Sequence, residues 1–297
     1  MQIFVEIGPL KAYLKLQRAR QSTIGLVPTM GALHAGHLSL IRSSKSQNDI
    51  TVCSIYVNPA QFNNPSDLDK YPRTFDSDAA LLKTVGCDII FAPSNNEMYP
   101  QVSELKFDFD SLDKVFEGEF RPGHFSGVAL VVAKLFNIVQ PNKAYFGQKD
   151  FQQFRIISKL VEELNFDIDL VCAPIVREAD GLAMSSRNRR LNKDERRTAV
   201  IVNECLLEAR AKLLAGESFT SVKNHALSRF KSENVRLEYF AMADQRALQP
   251  LENVADPSNV VLLVAAFLGE VRLIDNLFLI ENSTSQLLPS QKPRSIR

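Results

Sequence analysis

The sequence has no tryptophan, four cysteines, four histidines and almost no net charge across 297 residues. Each shortage excludes something. Cys53, Cys87, Cys172 and Cys205 lie far apart and form no Cys-x-x-Cys pair, so neither a zinc site nor a disulfide framework is expected. Several sit in apolar runs and read as small core residues, which fits a reducing cytoplasm. Lysine and arginine total 35 against 34 acidic residues. That balance argues against a nucleic-acid binder, which needs a basic excess or a basic face, but leaves room for a local anion site. The longest greasy stretch, Val128 to Val139, is too short to cross a bilayer and contains Lys134, so no membrane partner is expected. Residues 1–16 lack a basic segment followed by an apolar one, so no signal peptide is read. These absences together predict a soluble, cytoplasmic protein.

What is present is an ordinary globular composition: 45% apolar, 23% charged, with 19 phenylalanines carrying the aromatic burial. The length accommodates two domains. In the first half, short apolar runs alternate with helical patterns. Thr23 to Val27, Ile50 to Val57, Asp88 to Phe91, Lys143 to Phe146 and Phe166 to Cys172 read as strands. Their apolar residues are nearly continuous, which marks strands buried on both faces. Helices are predicted over 36–47, over 75–85, from a Ser126 N-cap to about Val139, and over 150–164. Gly86 sits where a helix C-cap glycine belongs. This alternation predicts an α/β fold: a Rossmann-like parallel sheet over residues 1–175. The segment 93–125 breaks the alternation and reads as an insertion or lid.

After Ile175 the pattern changes. Asn192 and Glu195 have capping-box spacing ahead of one long helix to about Leu214. A second helix is read near 220–231. Three β-rich runs follow, with Gly269-Glu270 as a hairpin turn between the last two. A smaller α+β C-terminal domain over 176–282 is therefore expected, with a largely antiparallel sheet. The polar tail, 283–297, is expected to be disordered.

Four strand-end segments carry the groups suited to chemistry. The first runs Pro28-Thr-Met-Gly-Ala-Leu-His34-Ala-Gly36-His37, joining the first strand to the first helix. Its glycines allow close backbone approach, and a helix N-terminus offers free N–H groups to phosphate. Two histidines three apart can donate to charge building on leaving phosphates. The bland alternative is a pair of surface or capping histidines, which fits poorly with half of the chain's histidines falling in one such turn. The second is Asn58-Pro-Ala-Gln61, with neutral amides suited to a small polar substrate, or equally a polar turn broken by Pro59. The third is Phe146-Gly147-Gln148-Lys149-Asp150, where a lysine at a helix start runs against the helix dipole and so favours phosphate binding. Gln153 follows one turn later. The fourth, Arg177 to Arg190, places Ser185, Ser186 and Arg187 in succession, either as a phosphate clamp or as a basic linker.

The spacing of His34, Gly36 and His37 matches the His-x-Gly-His signature of the nucleotidyltransferases. Together with Asn58-Pro-Ala-Gln-Phe62, Tyr71-Pro-Arg-Thr74, Phe146-Gly-Gln-Lys-Asp150 and Arg177-Glu-Ala-Asp-Gly-Leu-Ala-Met-Ser-Ser-Arg-Asn-Arg189, it resembles the pantothenate synthetase (pantoate–β-alanine ligase) family over about residues 20–280. The resemblance implies an ATP-dependent ligase. ATP adenylates the carboxylate of (R)-pantoate with release of pyrophosphate, and the β-alanine amine then displaces AMP. Mg²⁺ accompanies ATP, and a homodimer is implied. By resemblance, Met30, Gly31, Ala32, Leu33, His34, Ala35, Gly36 and His37 line ATP, as do Gly147, Gln148, Lys149, Asp150, Val176, Met184, Ser185, Ser186 and Arg187. His37 is the residue the family treats as proton donor; His34, Lys149, Ser185, Ser186 and Arg187 share the catalytic part. Gln61 contacts pantoate and β-alanine, Gln153 pantoate, and Asn58 belongs to the same pocket. The second domain is expected to close over the site.

Two departures from the family pattern stand out. Gln148 occupies a position where some members carry Glu, so no acid–base role is assigned to it. The acidic cluster after Thr74 is interrupted as Asp76-Ser77-Asp78, so no protein ligand is assigned to the metal. The rival readings are another adenylyltransferase, which needs the histidine turn but not Gln61 and Gln153, and a nucleotide-binding regulatory domain, which needs no paired histidines.

Overall fold

The structure is a computed structural model that describes residues 1–281 and the backbone of 286–288. The chain divides into two compact units. The first holds Met1–Gly147, Gln153–Ala173 and the strand Gln286–Leu288; the second holds Gln148–Gln152 and, among the described residues, 174–281.

The first unit is a parallel sheet of β1 (Gln2–Phe4), β2 (Ile24–Thr29), β3 (Ile50–Ile55), β4 (Ile89–Phe91), β5 (Lys143–Gly147) and β6 (Asp169–Ala173), in the order β1-β4-β3-β2-β5-β6. All neighbours among these six are parallel. The first five residues of β3 and nearly all of β2 are buried, as continuous apolar runs demand when helices cover both faces. β1 lies outside the expected strands: it is three residues long and largely exposed, so it carries no apolar run. A further strand, β10 (Gln286–Leu288), pairs antiparallel with β6. That corrects the expectation of a wholly disordered tail at these three residues; 282–285 and 289–297 lie outside the described residues.

The sheet order decides where a ligand belongs. From β2 the chain adds β3 and β4 on one side, then β5 and β6 on the other. The winding reverses between β2 and β5, and the crevice beyond the carboxyl ends of strands at such a reversal is where open α/β sheets take ligands. The helix Ala35–Lys45 is pressed onto β2 at Gly25, where a Cβ would lie 2.1 Å from Ser44 Oγ. Ser44 in turn bonds Thr51 of β3 at 2.7 Å. This close approach seats the helix against β2.

The apolar helix His124–Val139 starts two residues before the expected Ser126 cap. Gly123, at φ +78°, makes the turn into it, and Ser126 Oγ instead accepts the N–H of Phe107 at 2.9 Å. The hydroxyl is taken by the 93–125 segment, a partner that no local pattern reveals.

The second unit is α+β. Its sheet is β7 (Arg236–Asp244), β8 (Val260–Leu268) and β9 (Val271–Phe278), antiparallel in that order. Gly269, at φ +54°, turns the β8–β9 hairpin, as its sequence predicts. The helices Ile201–Leu214 and Phe219–Ser232 share a core with this sheet through Leu206, Phe230, Phe240 and Leu262, all at most 2% exposed. Each such side chain contributes about 1.5–3 kcal/mol on burial. The capping box at Asn192 and Glu195 is present, but the helix it opens ends at Thr198, and a new one begins at Ile201.

Candidate active site

At the carboxyl end of β2 the chain reverses through two left-handed residues, Gly31 (φ +82°) and Ala32 (φ +50°). The left-handed region costs a residue with a Cβ roughly 1–2 kcal/mol, so something must hold it. The carboxylate of Asp78 does. It accepts the N–H groups of Ala32 and Leu33 at 2.9 and 2.8 Å and the Thr74 hydroxyl at 3.0 Å, and is 1% exposed. Gly31 leaves room for it: a Cβ there would sit 3.0 Å from Asp78 Oδ2.

The turn delivers His34 as N-cap of the helix Ala35–Lys45. Its Nδ1 accepts the N–H of Gly36 at 3.2 Å, which leaves Nε2 to carry the proton. The rings of His34 and His37 lie 4.1 Å apart between centroids, so the pair presents one face. Both are half-buried.

Beside this turn stands Gln61, whose Nε2 donates to Met30 Sδ at 3.1 Å. Gln61 is held from three directions. Asn58 Nδ2 donates to its Oε1 at 3.1 Å. His124 Nδ1 bonds its backbone oxygen at 2.7 Å. Gly127 lets the 59–61 turn lie against the helix, since a Cβ there would be 2.1 Å from the Ala60 oxygen. His124, which the sequence alone does not assign, is 5% exposed. Arg121 donates to its Nε2 at 3.0 Å, so Nδ1 bears the proton and donates to Gln61. Asn58 is 1% exposed: its Nδ2 also donates to the Gly127 oxygen, and its Oδ1 accepts from Ala60 N and the Tyr99 hydroxyl. Its amide is thus engaged within the protein, and one of those bonds holds Gln61. Burial pushes the Tyr99 phenol up to about 12, so it remains a donor at neutral pH. A cavity of about 330 Å³ opens on the Asp78 side of the turn, lined by Met30, Gly31, Tyr56, Arg73, Thr74 and Asp78 among others.

In the second unit, Gln148 and Lys149 follow directly on Gly147, the last residue of β5. A Cβ at Gly147 would meet nothing within 4 Å, and its φ is not left-handed, so neither packing nor backbone strain requires glycine. Lys149 lies 3.7 Å from Asp150. Val176 and Met184 pair across a tight loop closed by Gly181 at φ +92°, with Met184 N donating to the Val176 oxygen at 3.0 Å. Ser185 then caps a 3₁₀ turn over Ser186–Arg190, its Oγ accepting from Arg187 N at 3.3 Å. Gln153 is half-buried in the first turn of the helix Phe151–Glu163, within the first unit.

The structure therefore gathers the sequence-derived residues into two sets. Met30–His37, Asn58 and Gln61 form one; Gln148–Asp150, Val176 and Met184–Arg187 form the other. Sequence reasoning missed the residues that hold the first set: Asp78, Tyr99, Arg121 and His124. The cysteines take no part. All four are buried, and desolvation raises the thiols of Cys87 and Cys205 to about 11 and that of Cys172 to about 12. Among the described residues, no group of three or more His, Cys, Asp and Glu side chains could hold a metal ion.

A parallel sheet with paired histidines and a helix N-terminus at its reversal point, and a pinned amide beside them, is the architecture of an α/β enzyme. The particular family follows from comparison. The family model described as pantoate-beta-alanine ligase matches residues 2–278. The pantothenate synthetase of Bacteroides fragilis is 46% identical over 280 residues, covering 93% of this chain and 98% of its own. The crystal structure of the Thermus thermophilus enzyme superposes with a TM-score of 0.88 at 38% identity, covering 95% of this chain and all of that one. The Francisella tularensis pantoate-beta-alanine ligase, complexed with beta-gamma ATP and beta-alanine, gives 0.77 at 34% identity, covering 94% and 98%. The chain belongs to the pantoate–β-alanine ligase family and is a ligase.

Proposed function

We propose that this chain forms pantothenate from (R)-pantoate and β-alanine through an enzyme-bound pantoyl adenylate. In the first step a pantoate carboxylate oxygen attacks the α-phosphorus of ATP. The bond to the bridging oxygen breaks and pyrophosphate leaves. In the second, the β-alanine amine attacks the acyl carbon, loses a proton as the amide forms, and AMP departs. A free carboxylate is a poor acylating agent; adenylation gives it a good leaving group without a covalent enzyme nucleophile.

Met30–His37 engages the nucleotide, with His34 offering Nε2–H and His37 serving as proton donor to the charge that builds as pyrophosphate leaves. Gly147–Asp150, Val176 and Met184–Arg187 bind the same nucleotide, Lys149 and Arg187 supplying cations and Ser185 and Ser186 hydroxyls. Gln61 orients pantoate and β-alanine; Gln153 holds pantoate; Asn58 acts through Gln61. Mg²⁺ enters as part of MgATP, carried by phosphate oxygens and water. The described residues fit that assignment, because the Asp78 carboxylate is already taken by Ala32, Leu33 and Thr74. A cytoplasmic homodimer completes the reading; no helix among the described residues is long and apolar enough to cross a membrane.

The observation that carries this reading is the pinned Gln61 amide beside the His34–His37 turn, a carboxylate-orienting group next to a phosphate-activating one. The test is ATP–pyrophosphate exchange. Exchange that requires pantoate and proceeds without β-alanine supports it; a folded, ATP-binding sample without such exchange refutes it.

A further inference from the structure

In the middle of β9, two polar residues lie buried among apolar ones. Asp275 is 3% exposed and Asn276 is 1% exposed. Burying a carboxylate and an amide is costly unless every donor and acceptor is met, and replacing such groups with packed apolar ones is often neutral for stability. What the pair holds lies outside the apolar core.

Both are fully engaged, each with a different distant segment. Asn276 Nδ2 donates to the backbone oxygens of Gln148 and Lys149 at 2.9 and 3.0 Å, and its Oδ1 accepts from Gln148 Nε2 at 3.1 Å. Asp275 takes the Arg177 guanidinium with both oxygens, at 2.6 and 3.1 Å, and Arg177 also donates to the Gly181 oxygen at 3.1 Å. β9 is the last strand in the order β7-β8-β9, and the backbone N–H of Asn276 is taken by Asp275 Oδ1 at 2.8 Å, which fixes the Asp275 carboxylate against the backbone of its neighbour. One dipeptide therefore grips the loop bearing Lys149 and the loop that runs through Gly181 into Met184–Arg187. Those loops are 127 and 98 residues away along the chain.

We infer that Asp275 and Asn276 are positioning residues for nucleotide binding: they fix the Gln148–Lys149 backbone and the 176–187 loop in one mutual arrangement, so that the cation of Lys149 and the Ser185–Arg187 clamp are set before ATP arrives. The inference rests on the nucleotide role proposed above for these two loops. Preorganisation of this kind acts by removing the ordering cost from the binding step. Neither residue touches ATP.

The test uses the full chain with Asn276→Asp and Asp275→Asn, each close in shape to the residue it replaces. Asn276→Asp keeps an acceptor for Gln148 and replaces the two donors by an acceptor oxygen that faces the same backbone oxygens. ATP affinity is measured by calorimetry without pantoate, alongside thermal unfolding without nucleotide. KM values for ATP and pantoate are then taken in the exchange assay at 15 °C, with rates normalised to active sites. The expected result is an ATP Kd and KM raised about tenfold or more, with the pantoate KM within about twofold of wild type. A lower melting temperature with unchanged ATP affinity overturns the inference, since a role in folding alone predicts that outcome. Where a variant does not fold at 15 °C, Arg177→Lys replaces it: a single-point cation keeps the charge but loses the two-pronged contact, and the same rise in ATP Kd is required. Because ATP binding is read without pantoate, a wild type that binds ATP yet shows no exchange refutes the ligase reading while this inference stands.

Discussion

Asp78 Oδ2 accepts the backbone N–H of Ala32 at 2.9 Å, and Ala32 is held at φ +50°, a conformation it would otherwise avoid. The bond spans 46 residues and sets the direction in which the chain enters the His34–His37 turn. Replacing Asp78 by Asn puts an NH₂ where two N–H groups need an acceptor, leaving at least one of them buried and unmet. The expected loss is about 1–3 kcal/mol in urea unfolding. Exchange activity should fall by about a hundredfold, because small displacements of oriented groups are costly to catalysis. A folded Asp78→Asn protein with wild-type exchange would show that the turn holds its shape unaided.

His37→Ala tests the donor itself. Loss of one such donor lowers the adenylation rate on the order of a hundredfold or more. ATP affinity, measured separately, should change by much less. Equal losses in both would assign His37 to binding rather than to the developing charge.

Gly127→Ala places a methyl group 2.1 Å from the Ala60 oxygen. The 59–61 turn must move, at about 1–3 kcal/mol for overpacking. Since that turn carries Gln61, the KM for pantoate should rise while the KM for ATP stays near wild type. A normal pantoate KM would uncouple the turn from the substrate.

Asp180 and Arg196 give a pH prediction. The Arg196 guanidinium, at 2.6 Å, holds the Asp180 carboxyl below its ordinary value. The folded value lies below the unfolded one, so the contribution is present above the unfolded value of about 3.9 and is lost as pH falls through the folded value. Asp180→Asn should therefore be less stable than wild type at pH 7, and the gap should close below about pH 4. Urea unfolding at pH 7 and pH 3 decides it: an equal gap at both would rule out the ion pair as its source.

Much of the framework is legible in the sequence because it is local. Continuous apolar runs mark the buried strands, Gly86 and Gly269 have the positive φ their turns require, and the His34–His37 spacing marks the strand–helix junction. The residues that hold the site are not legible, for the opposite reason. Asp78 reaches back 46 residues to Ala32, His124 reaches 63 to Gln61, and Asn276 reaches 128 to Gln148. No periodicity or capping rule records a side chain's partner at that distance. Along the chain, Asp78 is one of two acidic residues in a helix's first turn, and Asp275-Asn276 is a plain break in a strand.

The same reach explains why Asn58 reads as a substrate contact in the sequence. An amide at a strand's carboxyl end suits a ligand, and only its bonds to Tyr99, Gly127 and Gln61 show it to be occupied.

The bond from His124 to Gln61 carries a spectroscopic consequence. With Arg121 donating to Nε2, the ring proton sits on Nδ1, is buried, and points at a carbonyl 2.7 Å away. Such a proton exchanges slowly with water and resonates apart from the amide envelope. It is a built-in NMR reporter on the residue proposed to hold pantoate, readable without a label in the substrate. Its line should shift when pantoate is added and stay put when ATP is added alone.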